Sequence, residues 1–86
     1  MDLERRIAEV IIARLELEGR TAEEFPPDMP LFAPPPDGLG LDSLAGLEIM
    51  SGVSEAFGDP FGDVERADLT SVRTLAAYVR RKGKGD

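Results

Sequence analysis

Asp37-Gly38-Leu39-Gly40-Leu41-Asp42-Ser43-Leu44 is a Gly-punctuated loop that runs into an apolar-periodic segment. At the junction, Asp42-Ser43 can cap the first turn of a helix and leave a hydroxyl facing solvent. Downstream, Leu44, Leu47, Met50, Val53 and Phe57 recur at spacings of three and four, and Ile49 widens the stripe, so the pattern predicts a helix from Ser43 to Phe57. Gly58-Asp59-Pro60 ends it. Gly46 and Gly52 each cost about 1 kcal/mol relative to Ala in a helix interior, which points to close approach of another backbone or of a partner surface.

On the N-terminal side, Leu3, Ile7, Val10, Ile11 and Leu15 define an amphipathic helix over about residues 2–18, with Gly19 as its stop. Ile12 and Leu17 fall off that stripe and are expected to be half-exposed or to touch the following loop. Residues 20–41 are broken by Pro26-Pro27, Pro30 and Pro34-Pro35-Pro36, which forbid a sustained helix. A connection this long must be functional or pinned by its own side chains, and Leu31, Phe32 and Leu39 are the expected pins. The proline triplet stiffens it. On the C-terminal side, residues 61–69 suffice for one or two helical turns. Thr70-Ser71 then caps a last helix that carries Val72, Leu75, Ala76 and Val79 inward and ends near Arg81. Tyr78 lies off that stripe, so its ring is expected at an edge with the hydroxyl in water. No segment alternates with period two for long enough to predict a strand. The expected fold is all-α: a small bundle of three main helices plus one short helix, with a long loop between the first and second helices.

Composition removes most chemistries. With 86 residues the chain makes one domain, 1–86, with one modest core and a flexible end over about 83–86. It has neither Cys nor His, so disulfides, thiol nucleophiles, imidazole bases and the commonest metal ligands are excluded. No enzymatic activity and no metal site are expected. The net charge of −7 is unevenly spread: residues 1–79 hold sixteen acids against six bases, while Arg80, Arg81, Lys82 and Lys84 crowd the end. Such a body repels nucleic acid and anionic lipid and attracts basic protein surfaces. No apolar run has signal-peptide or membrane-spanning length. A monomeric cytoplasmic protein is expected.

Gly40-Leu41-Asp42-Ser43-Leu44, with Glu48 five positions after the serine, Phe57 fourteen after it, and Thr70-Ser71-Val72 opening the last helix, resembles the acyl carrier protein family. The resemblance covers nearly the whole chain and keeps an ungapped register from Leu39 to Val72. It implies that Ser43 is esterified by a 4′-phosphopantetheine group taken from coenzyme A, whose thiol holds acyl intermediates as thioesters. A chain without Cys or His has no sulfur of its own for such a bond, which agrees with that implication. A helix N-terminus favours the phosphodiester, and Asp42 opposes it. In the family this Asp helps the phosphopantetheinyl transferase bind Mg²⁺ and recognise its target.

The resemblance also implies acyltransferase and ketosynthase-type enzymes as partners, read through Asp42, Leu44, Glu48, Ile49, Met50 and Glu55. Acyl chains would shelter between the second and third helices, in a slot lined by Val53, Phe57, Phe61, Leu69 and Leu75. Two features depart from typical fatty-acid carriers. The outward face of the second helix, Ala45, Gly46, Glu48, Ser51, Ser54 and Glu55, is poor in acids, and the loop between Phe32 and Leu39 is longer by about three residues. Together with the Ala/Gly/Arg/Pro-rich composition, they favour a specialised polyketide or related pathway over fatty-acid synthesis. The alternatives are a peptidyl carrier domain and an unmodified acidic helical adaptor for a basic partner.

Overall fold

The computed structural model describes residues 3–17 and 19–83. Three α-helices form the frame: α1 (Leu3–Leu15), α2 (Ser43–Phe57) and α3 (Val72–Arg81). Two short 3₁₀ turns, Ala22–Glu24 and Arg66–Leu69, interrupt the connections, and no strand occurs among the described residues. The first of these turns lies inside the long loop, where the sequence offers only prolines and scattered apolar residues.

Helix α1 is central and packs against both α2 and α3. Its inward side chains are Leu3, Ile7, Ala8 and Ile11, while Val10, Ile12, Leu15 and Leu17 pack on the margin of the core. The helix stops at Leu15, short of Gly19. Glu16 takes the left-handed conformation at φ 53°, and the Leu17 N–H donates back to the Ile12 carbonyl at 3.0 Å. That back-bond satisfies one orphan carbonyl of the last turn, and Leu17 supplies the apolar contact that accompanies such an ending. The left-handed conformation is uncommon for a residue with a Cβ, and here the apolar contact and the back-bond hold it.

Helix α2 has the expected bounds but is rotated relative to the predicted stripe. Gly46, Ile49, Gly52 and Val53 face inward, whereas Leu44 and Leu47 are 72% and 69% exposed. The two glycines explain the rotation, because they carry no hydropathy yet lie where α2 meets its neighbours. A Cβ on Gly52 would stand 2.7 Å from Val10 Cγ1 and Arg14 Cγ, and one on Gly46 would stand 3.3 Å from the Phe32 ring. Side chains of the same chain, not a second backbone, make the close approach. Gly58, left-handed at φ 71°, closes the helix.

The long connection between α1 and α2 is pinned near its middle. The Leu31 N–H donates to the Thr70 carbonyl at 2.8 Å, and the Arg73 N–H, free in the first turn of α3, donates to the Pro27 carbonyl at 2.9 Å. Leu31 is fully buried, Phe25 nearly so, and Phe32 and Leu39 are half-buried against the core, as expected for pins. Gly38 allows the loop to fold on itself: a Cβ there would lie 2.3 Å from the Pro30 carbonyl oxygen. The Leu41 N–H, donating to the Leu31 carbonyl at 3.1 Å, delivers the chain to α2.

Helix α3 begins at a capping box in which Ser71 Oγ accepts from the Thr74 N–H at 3.2 Å and Thr74 Oγ1 accepts from the Ser71 N–H at 2.9 Å. Val72, Leu75, Ala76 and Val79 are buried as predicted. Tyr78 is buried too, which corrects the expectation of an edge ring with a wet hydroxyl. Its ring meets Phe61 edge-to-face at 5.5 Å, and its hydroxyl donates to Asp63 Oδ1 at 2.5 Å. Asp63 also pairs with Lys82 at 2.9 Å, and Arg81 pairs with Asp68 at 3.0 Å. The first part of the basic end is thus tied down, and Lys84-Gly85-Asp86 lie outside the described residues.

Candidate functional site

The site grows from the capped start of α2. Asp42 is extended, at φ −103° and ψ −178°, and its Oδ1 accepts from the Ala45 N–H at 2.9 Å. That bond neutralises one orphan donor of the first turn and fixes where the helix begins. Ser43 is the first helical residue and is exposed. Its hydroxyl can therefore be reached by another protein, and the remaining free amides of the first turn favour an anion there.

Ser43 stands on the rim of a groove of about 620 Å³. Phe32, Leu41, Leu47, Met50, Val64 and Leu69 supply most of its apolar lining, with Arg66 and Glu65 at the 3₁₀ side. The walls come from three separate places in the chain: the pinned loop, the first two turns of α2, and the Arg66–Leu69 turn with the residues just before it. Gly46 contributes floor without bulk, and Phe32 packs against it.

The structure sorts the sequence-expected residues into three groups. Ser43, Met50 and Leu69 come together on the groove. Asp42, Leu44, Glu48 and Glu55 lie exposed on or beside the outward face of α2. Ile49 is not: it is fully buried and offers no surface, because it belongs to the inward face created by the rotation of α2. Val53, Phe61 and Leu75 are likewise fully packed core residues and do not line the groove. Phe57 is half-buried under the Arg6 guanidinium, 4.4 Å from its ring centroid, at the other end of α2. Of the expected slot residues only Leu69 lines the groove. Phe32, Leu41, Leu47 and Val64 are lining residues that sequence spacing missed. Leu47 belongs to the apolar stripe that the spacing predicts for α2, yet it stands exposed at the groove.

Two titratable groups are perturbed, and both lie away from the groove. Burial, reinforced by the hydrogen bond to Asp63, pushes the Tyr78 hydroxyl pKa well above its ordinary 10.0. The Tyr78 hydroxyl, followed by the Lys82 ammonium, holds Asp63 below the usual carboxylate value of 3.8. Neither belongs to a constellation capable of acid–base catalysis. Among the described residues there is also no cluster of three or more potential metal ligands, and no helix long and apolar enough to cross a membrane.

No family model matches the chain, and no solved structure matches it. Three curated proteins do, among them two acyl carrier proteins. The acyl carrier protein of Desulforapulum autotrophicum is 29% identical over 82 residues, spanning 95% of this chain and 99% of the relative. The acyl carrier protein of Nitratidesulfovibrio vulgaris matches with the same identity and the same coverage of both chains. Full-length similarity to acyl carrier proteins, the all-helical bundle and an exposed Asp-Ser at the start of the second helix agree with one another.

Proposed function

We propose that this chain carries acyl groups and that Ser43 is the tether. A phosphopantetheinyl transferase would esterify Ser43 with 4′-phosphopantetheine from coenzyme A. When attached, that group supplies the thiol on which acyl intermediates are held as thioesters, the sulfur chemistry that a chain without Cys lacks. The single observation that supports this reading best is that an exposed, helix-starting Ser43 shares a rim with an apolar groove. A serine serving only as the first residue of a helix needs no such neighbour.

The chain's own residues divide the work. Asp42 fixes the helix start through the Ala45 N–H, so that the Ser43 hydroxyl is presented in one place. The first-turn amides favour a phosphodiester, while the Asp42 charge opposes it and is partly engaged by its own capping bond. Phe32, Leu41, Leu47, Met50, Val64 and Leu69 form the shelter in which an apolar acyl chain would lose contact with water. It is a different shelter from the slot expected over Val53, Phe57, Phe61, Leu69 and Leu75, with which it shares Leu69, while Val53, Phe61 and Leu75 are packed in the core. Partners would be acyltransferase and ketosynthase-type enzymes of a polyketide or fatty-acid-type pathway in the cytoplasm.

The direct test is incubation with coenzyme A, Mg²⁺ and a broad-specificity transferase, followed by intact mass. Wild type gains one phosphopantetheine and Ser43→Ala gains none; an unmodified wild type with several transferases would refute the reading. A long apolar acyl group, binding only the folded state, raises the melting temperature above that of the unacylated form. Loading with malonyl in preference to aminoacyl donors separates an acyl carrier from a peptidyl one.

A further inference from the structure

Arg14 and Gly52 form a unit used neither by the groove nor by Ser43. Because position 52 has no Cβ, which would stand 2.7 Å from Arg14 Cγ, the Arg14 side chain can cross from α1 onto α2. Its guanidinium then meets three side chains along the outward face of α2. Nη2 donates to Ser51 Oγ at 2.6 Å and lies 3.5 Å from Glu55 Oε2, and Nε stands 3.9 Å from Glu48 Oε1. Nε is shielded from solvent and makes no hydrogen bond, so its interaction with Glu48 is purely coulombic. The Arg14 side chain is 31% exposed, against 58% for Glu48 and 75% for Glu55. The cation is held by its stem while the carboxylates stay at the surface. Glu48 and Glu55 are the only acids on α2.

We propose that Arg14 is a charge mask that determines which partners α2 accepts. With both acids of the helix sharing one fixed cation, and with Leu44 and Leu47 exposed beside Ser43, this face fits an apolar, near-neutral recess on a partner enzyme. It does not fit a recess lined by Lys and Arg. Exposed ion pairs contribute little to stability, so the consequence of this arrangement lies in recognition. Rim charges set encounter rate and salt dependence, and removing a handle discriminates against partners that need it. The inference rests on the carrier reading for its biological meaning, though the mask itself is testable without it.

Arg14→Met keeps an apolar stem over Gly52 and removes the charge. With a transferase of basic surface, this variant is expected to show a KM lowered by about threefold at low ionic strength, an advantage that high salt erases, with kcat unchanged. Glu48→Gln/Glu55→Gln, confined to exposed positions that leave the fold intact, is expected to change the wild-type KM by less than about twofold. Equal KM values and salt slopes for wild type and Arg14→Met, or a large rise in KM for the double variant, would overturn the mask. An arm independent of modification titrates an oligolysine peptide and follows the amide resonances of Glu48, Ser51 and Glu55. These are expected to shift more in Arg14→Met than in wild type, and equal shifts count against the proposal. If wild type is never modified yet this difference appears, the carrier reading fails and the mask stands.

Discussion

The end of the molecule built around Phe61 and Tyr78 and the end built around Ser43 are held by different means. At the first, aromatic rings meet edge-to-face, the Tyr78 hydroxyl finds Asp63, and Lys82 and Arg81 pair with the acids around them. Even the strained Phe61, left-handed at φ 49°, is anchored, because its N–H donates to Asp59 Oδ1 at 2.8 Å. At the second, one capping bond from Ala45 to Asp42 fixes the helix start, Leu44 and Leu47 stand in solvent, and the groove lies open. The contrast teaches that this fold concentrates its packing away from the residue it presents. The tether proposed at Ser43 must be reached by other proteins, so it cannot also be a keystone of the core.

The largest expected break of this contrast is Phe61→Ala. It removes a buried ring and its contact with Tyr78, and should cost about 3–5 kcal/mol, a large part of the total stability of a domain this size. Urea unfolding measures it, and a loss below that of a surface substitution would place the keystone elsewhere. Tyr78→Phe is milder: it deletes the hydroxyl, at a cost of about 1 kcal/mol, and it alters the pH dependence in a defined way. Asp63, held below its ordinary value of 3.8, contributes stability that is present above that value and lost as pH falls through its lower folded pKa. Tyr78, raised above 10.0, contributes stability that is complete below pH 10 and lost as pH rises through its higher folded pKa. Wild type should therefore lose stability at both extremes more steeply than Tyr78→Phe, and superimposable melting-temperature curves against pH would contradict the pairing.

Smaller effects are expected at the open end. Asp42→Ala removes the cap and should cost about 1 kcal/mol, while Asp42→Asn retains an accepting side chain and should cost only a fraction of that. Equal losses would mean that charge, and not the Ala45 bond, sets the helix start. Leu44→Ala and Leu47→Ala, at exposed positions, should each shift stability by no more than about 0.5 kcal/mol. Of the two, only Leu47→Ala removes part of the groove lining and should reduce the melting-temperature gain from an apolar acyl group.

Much of this was legible in the sequence, for reasons that particular residues make plain. Asp42 and Gly58 bracket α2, and Ser71 opens α3, so caps and stops located both helices at their observed bounds. Hydropathy does not give the facing of α2, because Gly46 and Gly52 contribute nothing to a hydropathy stripe although they pack most closely, while Leu44 and Leu47 weigh heavily although they face solvent. The burial of Tyr78 is not legible locally, because its polar partner, Asp63, lies fifteen residues away and no local pattern joins them. The groove was the least legible feature. Its lining comes from Phe32, Leu47 and Val64, which belong to separate segments that meet only because the Leu31 amide reaches Thr70 and the Leu41 amide reaches Leu31. The exposed position of Ser43 at the start of α2 needs no tertiary information, since the residues on either side of it set the helix start.

The central claim is that Ser43 is a modified tether and not merely the first residue of a helix. Intact mass of the chain isolated from its native host, followed by mass mapping of the peptide that spans Gly40–Met50, tests it most directly. The account predicts a phosphopantetheine on Ser43, with any acyl cargo seen as a further increment. A chain whose Ser43 is unmodified throughout the native population would contradict it.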